Sequence, residues 1–232
     1  MNVDPLEVQK FDEMAIDWWD KSGPCKPLHD LNPLRLAFIQ THCTLKNAKI
    51  LDIGCGGGIL SEALSQFSAV VIGLDQSEKA LEVAQNHAQG LKSPPQYVRS
   101  TAEDYAKQFP GEFEVITCME MLEHVPYPDS IIQACARLLK PGGHLFLSTI
   151  NRTPKAYLQA VIGAEYVLRL LPVGTHDYAS FIRPSELASW SQAHGLSVKH
   201  MKGISYHVFS QKFSLSEDVS VNYLMHLQKV SA

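Results

Sequence analysis

Ile50-Leu51-Asp52-Ile53-Gly54-Cys55-Gly56-Gly57-Gly58-Ile59-Leu60 is the stretch whose reading decides the fold. Its apolar run, Ile50, Leu51 and Ile53, reads as a buried strand, and Ile59 to Gln66 reads as the helix that follows. Between them Gly54, Gly56, Gly57 and Gly58 let the backbone turn sharply and approach a ligand with no Cβ in the way. A dinucleotide fingerprint would require Gly-x-Gly-x-x-Gly, but Ile59 takes the final glycine's place.

The acids around this turn indicate what it would bind. Asp52 lies two residues before the first glycine, at the mouth where a pyrophosphate would sit, and would repel a dianion. A ligand carrying a sulfonium and an ammonium group, such as S-adenosylmethionine, would be attracted instead. Val70-Val71-Ile72-Gly73-Leu74 reads as the next strand and ends at Asp75, about 20 residues beyond the glycines, where an acid accepts from ribose hydroxyls. Asp52, Gly54, Gly56, Gly58 and Asp75 are therefore candidate cofactor-binding residues.

Downstream the pattern alternates: a helix over Glu78 to Ala88, strands over Gln96 to Arg99 and Val115 to Met119, a helix over Ser130 to Leu139 capped by Asp129, and a strand over His144 to Ile150. Alternation of this kind implies a doubly wound, mostly parallel sheet with helices on both faces and its site at the carboxyl ends of the strands. The spacing then predicts an amphipathic helix over 154–172, a helix over Pro184 to His194, and closing strands near Ser197 to Met201 and Val219 to His226. Upstream, Asp4-Pro5-Leu6-Glu7 starts a helix whose Phe11, Met14, Ala15, Trp18 and Trp19 share one face. That face either docks on the core or caps an apolar substrate. Pro24, Pro27 and Pro33 are expected to break the next segment into turns before a helix from Leu34 to His42 that carries Arg35. One domain of 232 residues results, with a helical cap over 1–45, a cofactor-binding core over 46–150 and a substrate side over 151–232.

Composition narrows the classes. Hydrophobic residues at 45% and charged residues at 19% indicate a globular chain, and a net charge of −4 with scattered Lys and Arg gives no basic stripe for nucleic acid. Five cysteines without Cys-x-x-Cys spacing indicate neither a disulfide framework nor a zinc site, which fits a reducing cytoplasm. Neither a secretory signal nor an uninterrupted membrane span is expected.

Several longer stretches carry a resemblance. They are Lys26-Pro27-Leu28-His29 with Asn32-Pro33-Leu34-Arg35-Leu36, the glycine-rich stretch, Thr117-Cys118-Met119-Glu120-Met121-Leu122-Glu123-His124-Val125-Pro126, Gly163-Ala164-Glu165-Tyr166, Gly174-Thr175-His176-Asp177 and Val221-Asn222-Tyr223. Over nearly its whole length the chain resembles class I S-adenosylmethionine-dependent methyltransferases, and within them the bacterial ubiquinone-biosynthesis O-methyltransferases. The resemblance implies a Rossmann-like fold with a seven-stranded sheet and an antiparallel end. It also implies methyl transfer to a phenolic oxygen of polyprenyl catechols, 2-polyprenyl-6-hydroxyphenol and 3-demethylubiquinol. Carried over by position, its cofactor contacts fall on Arg35, Gly54, Asp75 and Met119. Two positions depart from the family pattern: Thr101 stands where an acid near the adenine is common, and Tyr206-His207-Val208-Phe209 lacks an Asn-Pro.

A phenol titrates near 10, so its oxygen needs a base or a metal at neutral pH. Glu120, Glu123 and His124, at i, i+3 and i+4, supply either a magnesium site or a catalytic His124, unless the motif is structural, as Leu-Glu-His-Val is in metal-free methyltransferases. A polyprenyl substrate further suggests peripheral contact of the 154–172 helix, flanked by Lys155 and Arg169, with an anionic inner-membrane surface, and other ubiquinone-pathway enzymes as partners. Rival readings are an NAD-dependent oxidoreductase, a quinone-pathway C-methyltransferase and a lipid-bound scaffold that keeps the fold without the activity.

Overall fold

The computed structural model describes residues 2–67, 69–158, 177–207 and 210–231. Strand β1 (Lys49–Ile53) pairs in parallel with β2 (Val70–Asp75) on one side and β4 (Phe113–Met119) on the other. Strand β3 (Gln96–Arg99) extends the sheet beyond β2, and β5 (Leu139–Ile150) extends it beyond β4, both in parallel. Three antiparallel strands complete it: β6 (Leu196–His207), β7 (Lys212–Ser216) and β8 (Asn222–Lys229), in the order β3-β2-β1-β4-β5-β8-β6-β7.

Among the described residues the sheet thus has eight strands, not the seven expected. The additional strand is β7, which folds back on β6 after Gln211, a residue held at φ 52. Its Lys-Phe-Ser-Leu-Ser alternates with period two, but it is short, and Phe213 and Leu215 are only partly buried, so the hydrophobic signal is weak.

The central strands are apolar at almost every position because both faces are covered. Leu51, Ile53, Ile116 and Leu145 pack toward helices α5 (Ala102–Gln108), α6 (Pro128–Leu138) and α8 (Pro184–Ala193). Ile50, Val71, Val115 and Phe146 pack on the opposite face, toward α2 (Lys26–His42) and α3 (Ile59–Ser65). Each such aliphatic side chain contributes roughly 1.5–3 kcal/mol by leaving water. Helix α4 (Glu78–Ala88) is capped by Ser77, whose Oγ accepts from Ala80 N at 3.0 Å.

Several boundaries differ from the sequence expectation, among them β5, which begins at Leu139 rather than His144, β6, which runs on to His207, and β8, which covers Asn222–Lys229. Helix α2 begins at Lys26, because Pro27 fits its first turn and Pro33 lies inside it, where packing of Leu31, Arg35, Phe38 and Ile39 outweighs one lost hydrogen bond. Helix α6 starts at Pro128 for the same first-turn reason. Helix α1 (Pro5–Met14) stops before the tryptophans and continues as a tighter turn over Ala15–Asp17. Of the helix expected over 154–172, the structure describes a short α7 (Pro154–Ala156) and residues up to 158; the remainder, with Arg169, lies outside the described residues.

Candidate functional site

A pocket opens at the carboxyl ends of β1, β2 and β4, where a doubly wound sheet places its ligand. It is bounded by Arg35, Asp52, Gly54, Gly56, Asp75, Met119, Glu120 and His124, all singled out from the sequence. Gly58 and Glu123 do not border it. Gly58 instead caps α3 at φ 86, and Glu123 borders an adjoining pocket together with His124 and Glu7.

The glycine-rich turn is shaped by protein contacts. Gly56 has φ 50, and a Cβ there or on Gly57 would collide with the Trp18 indole. Trp19 Nε1 donates to Gly57 O at 2.9 Å. The aromatic pair of the N-terminal segment therefore docks directly on the loop, while Phe11 and Trp18 also border the pocket.

Asp52 is not the bare carboxylate expected at the mouth. It is 3% exposed, and its two oxygens accept from Ser61 Oγ at 2.6 Å and Thr117 Oγ1 at 2.7 Å. Thr117 is its register partner on β4. Burial pushes its carboxyl up to about 6, against the pull of both hydroxyls and the Arg35 charge. Asp75 is likewise engaged: Gly56 N and Ser77 N donate to its two oxygens, each at 2.8 Å. Burial raises its pKa above the ordinary carboxylate value, although these amides oppose the rise. Each carboxylate oxygen has two acceptor sites, so a ribose hydroxyl is not shut out.

Arg35 is buried at 5% exposure and ion-paired with Glu120, and its Nε has no hydrogen-bond partner among the described residues. A buried guanidinium with an unused donor aimed at no acceptor is costly, and an incoming carboxylate would satisfy it. Glu120 itself sits at φ 47, with Ser148 Oγ donating to it at 2.6 Å.

Glu120, Glu123 and His124 each face different partners. Glu120 is held by Arg35 and Ser148; Thr149 Oγ1 donates to Glu123 at 2.9 Å; and His124 Nδ1 lies 2.7 Å from Glu7 Oε2. Burial raises the Glu123 pKa. For His124 burial acts downward, but the Glu7 hydrogen bond and the Glu123 charge outweigh it and hold the imidazolium above its usual range. Glu7 is correspondingly lowered to about 2, chiefly by its bond to His124. Among the described residues, the three donors are not gathered as a ready-made metal site.

Glu7, Ser148 and Thr149 were not singled out as site residues from the sequence, although Ser148-Thr149 at the carboxyl end of the apolar run Leu145-Phe146-Leu147 is the kind of polar pair that marks a site. Glu103 was missed as well. Its Oε1 accepts from Asn2 Nδ2 at 2.9 Å and Ser130 Oγ at 2.8 Å, while its Oε2 is buried without a partner among the described residues, on the pocket wall. Thr101 spends its hydroxyl capping α5, accepting from Asp104 N at 3.1 Å.

A family model described as a methyltransferase domain matches residues 28–201, which makes this chain a methyltransferase-domain protein. In overall fold the chain is similar to magnesium protoporphyrin IX methyltransferase from Synechocystis PCC 6803 with bound SAH (TM-score 0.71, 20% identity, 97% of this chain and 98% of that one). It is also similar to an S-adenosylmethionine-dependent methyltransferase from Thermotoga maritima (TM-score 0.68, 15% identity, 96% and 99%). The chain belongs to the ubiquinone biosynthesis O-methyltransferase family: it is 52% identical to the member from Saccharophagus degradans over 99% of this chain and 98% of that one. It is 54% identical to the member from Pseudomonas aeruginosa strain LESB58 over 98% of each.

Proposed function

We propose that this protein transfers a methyl group from S-adenosylmethionine to a phenolic oxygen of the polyprenyl catechols 2-polyprenyl-6-hydroxyphenol and 3-demethylubiquinol. The observation that carries this reading is the pocket bounded by Asp75 and the half-satisfied Arg35, in a chain with full-length relatives of that name. When bound, the cofactor supplies an electrophilic methyl on a sulfonium. Asp75 takes the ribose, Gly54 gives backbone access, Met119 packs against the cofactor, and Arg35 receives the methionine carboxylate. Glu103, with its unused buried oxygen beside Thr101, accepts from the adenine amine.

His124 is the base in this reading. With Nδ1–H donating to Glu7, its Nε2 lone pair is left to take the phenol proton, the orienting logic of an acid behind an imidazole. A second reading has a specific support: Glu123 is a buried carboxylate with no ion pair other than proximity to His124 among the described residues, and a cation would relieve it. Glu120 and Glu123 offer the hard oxygen donors magnesium prefers, once Glu120 exchanges Arg35 for the ion, and His124 would add a softer imidazole nitrogen. An ion held there would supply a Lewis acid that lowers the phenol pKa.

The substrate is lipidic, so the reading extends to a cytoplasmic protein in peripheral contact with anionic inner-membrane lipid and with other enzymes of the pathway. Tyr157 and Leu158, 43% and 58% exposed, support it at the start of the 154–172 segment. Lys155 is already paired with Asp218. Among the described residues, no helix is long and apolar enough to cross a membrane.

The test is incubation with labelled S-adenosylmethionine and a short-chain prenylated catechol, followed by fragmentation of the product. A methyl ether supports the reading; a ring-carbon methyl, or no product, overturns it.

A further inference from the structure

Midway along β5, where His226 pairs with Phe146, four imidazoles meet, and none of them borders the pocket. His42 ends α2, His200 stands on β6 opposite His226 of β8, and His144 lies on β5. One ligand atom from each of His42, His200 and His226 lies within 4.8 Å of the others. We propose that these three form a site for a divalent transition-metal ion of the zinc class, with His144 orienting His226.

The buried partner supplies the independent observation. His226 is 3% exposed, and its Nδ1 has no hydrogen-bond partner among the described residues. Its Nε2 lies 2.9 Å from His144 Nδ1. If Nε2–H donates to His144, His226 Nδ1 carries the lone pair, the tautomer that coordinates metal; an orienting bond on the other ring nitrogen is the usual arrangement at such sites. The orphaned atom is then a ligand rather than a loss.

Donor chemistry selects the ion. Three imidazoles without a carboxylate suit zinc, cobalt, nickel or copper and give magnesium nothing hard to bind. A fourth position stays open to water, since His200 is exposed. The rings now lie in a stack, His42 over His200 with centroids 4.0 Å apart and over His226 at 5.0 Å. Zinc–nitrogen distances of about 2.0–2.1 Å require His42 and His200, both near the surface, to tilt out of it. Lys199 and Lys202 are the nearby cations that oppose an ion, and Lys202 is paired with Glu217. The ion would clip α2, which carries Arg35, to the antiparallel end of the sheet.

The experiment uses the untagged full chain, stripped with chelator and titrated with Co2+, then Zn2+. One Co2+ per chain with the visible ligand-field bands of a four-coordinate ion, displaced by Zn2+ and accompanied by a higher melting temperature, is the expected result. His42→Gln and His200→Gln should each abolish the bands, whereas His144→Ala should weaken binding by about 10- to 100-fold. Glu123→Gln should keep the bands, and His200→Gln should keep methyl-transfer activity. No bands in the wild type, or bands that survive both His42→Gln and His200→Gln, would overturn the proposal. These two surface variants decide the matter even if a His226 variant fails to fold.

Discussion

Replacing Glu7 by Gln removes one charge from the contact that ties α1 to His124. The two groups have opposite pH signs. Glu7 falls from 4.5 to about 2 in the fold, so its contribution is present above about pH 4.5 and is lost as pH drops through about 2. His124 rises above 6.5, so its contribution is complete below that value and is lost as pH climbs through the folded pKa. The pair stabilises most between pH 4.5 and 6.5. The lowering of Glu7, at about 1.4 kcal/mol per pH unit, corresponds to about 3 kcal/mol. Solvent still reaches the pair, with side chains 16% and 22% exposed, and Lys10 at 2.6 Å remains a second partner of Glu7. The expected loss in Glu7→Gln is therefore about 1–2 kcal/mol near pH 5.5 and less at pH 9. Urea unfolding of both proteins at the two pH values measures it. A loss of the same size at both, or none at either, refutes the pairing. In turnover, the acid limb of the pH profile should move to lower pH in Glu7→Gln, because His124 gives up its proton more readily.

Other expectations follow from single contacts. Asp75→Asn, which keeps an acceptor for the Gly56 or Ser77 amide, should weaken S-adenosylhomocysteine by roughly 1.5–3 kcal/mol in calorimetric titration, and unchanged affinity would remove Asp75 from the ribose. Glu103→Gln should weaken the same ligand by about 1 kcal/mol, whereas inosine-containing ligand should bind both forms alike; equal losses for both ligands would count against the adenine contact. In the magnesium reading, chelation should abolish turnover of the catechol while leaving cofactor affinity intact, with magnesium restoring it; full activity after chelation leaves His124 as the base on its own.

Strands β1, β2, β4 and β5 could be read from the sequence because both faces are covered, so Ile50, Leu51, Ile116 and their neighbours form apolar runs bounded by turn residues. The helix starts at Asp4-Pro5 and Ser77 carry their own capping chemistry. Strand β7 was hidden because its alternation covers five residues with half-buried apolar positions. Pro33 misled because a local breaker says nothing about the core contacts that hold a helix through it. In the site, Asp52, Asp75 and Arg35 were visible as residue types, but their partners were not. The hydroxyls of Ser61 and Thr117, and Glu7 at 117 residues from His124, are brought in by the sheet and by α1, and no local pattern announces them.

The seat of Trp18 against Gly56 and Gly57 gives the turn a second owner. A methyl group at either glycine would push on the indole before it reached anything in the pocket, so the damage would first appear as a displaced N-terminal segment. Removing residues 2–19 should in turn leave the turn exposed to water on that side. Drift at these two glycines and drift at Trp18 are therefore coupled, and a chain that exchanged its tryptophan for a small side chain would be free to carry alanine at Gly57, though not at Gly56, whose φ of 50 strains any Cβ whatever the space.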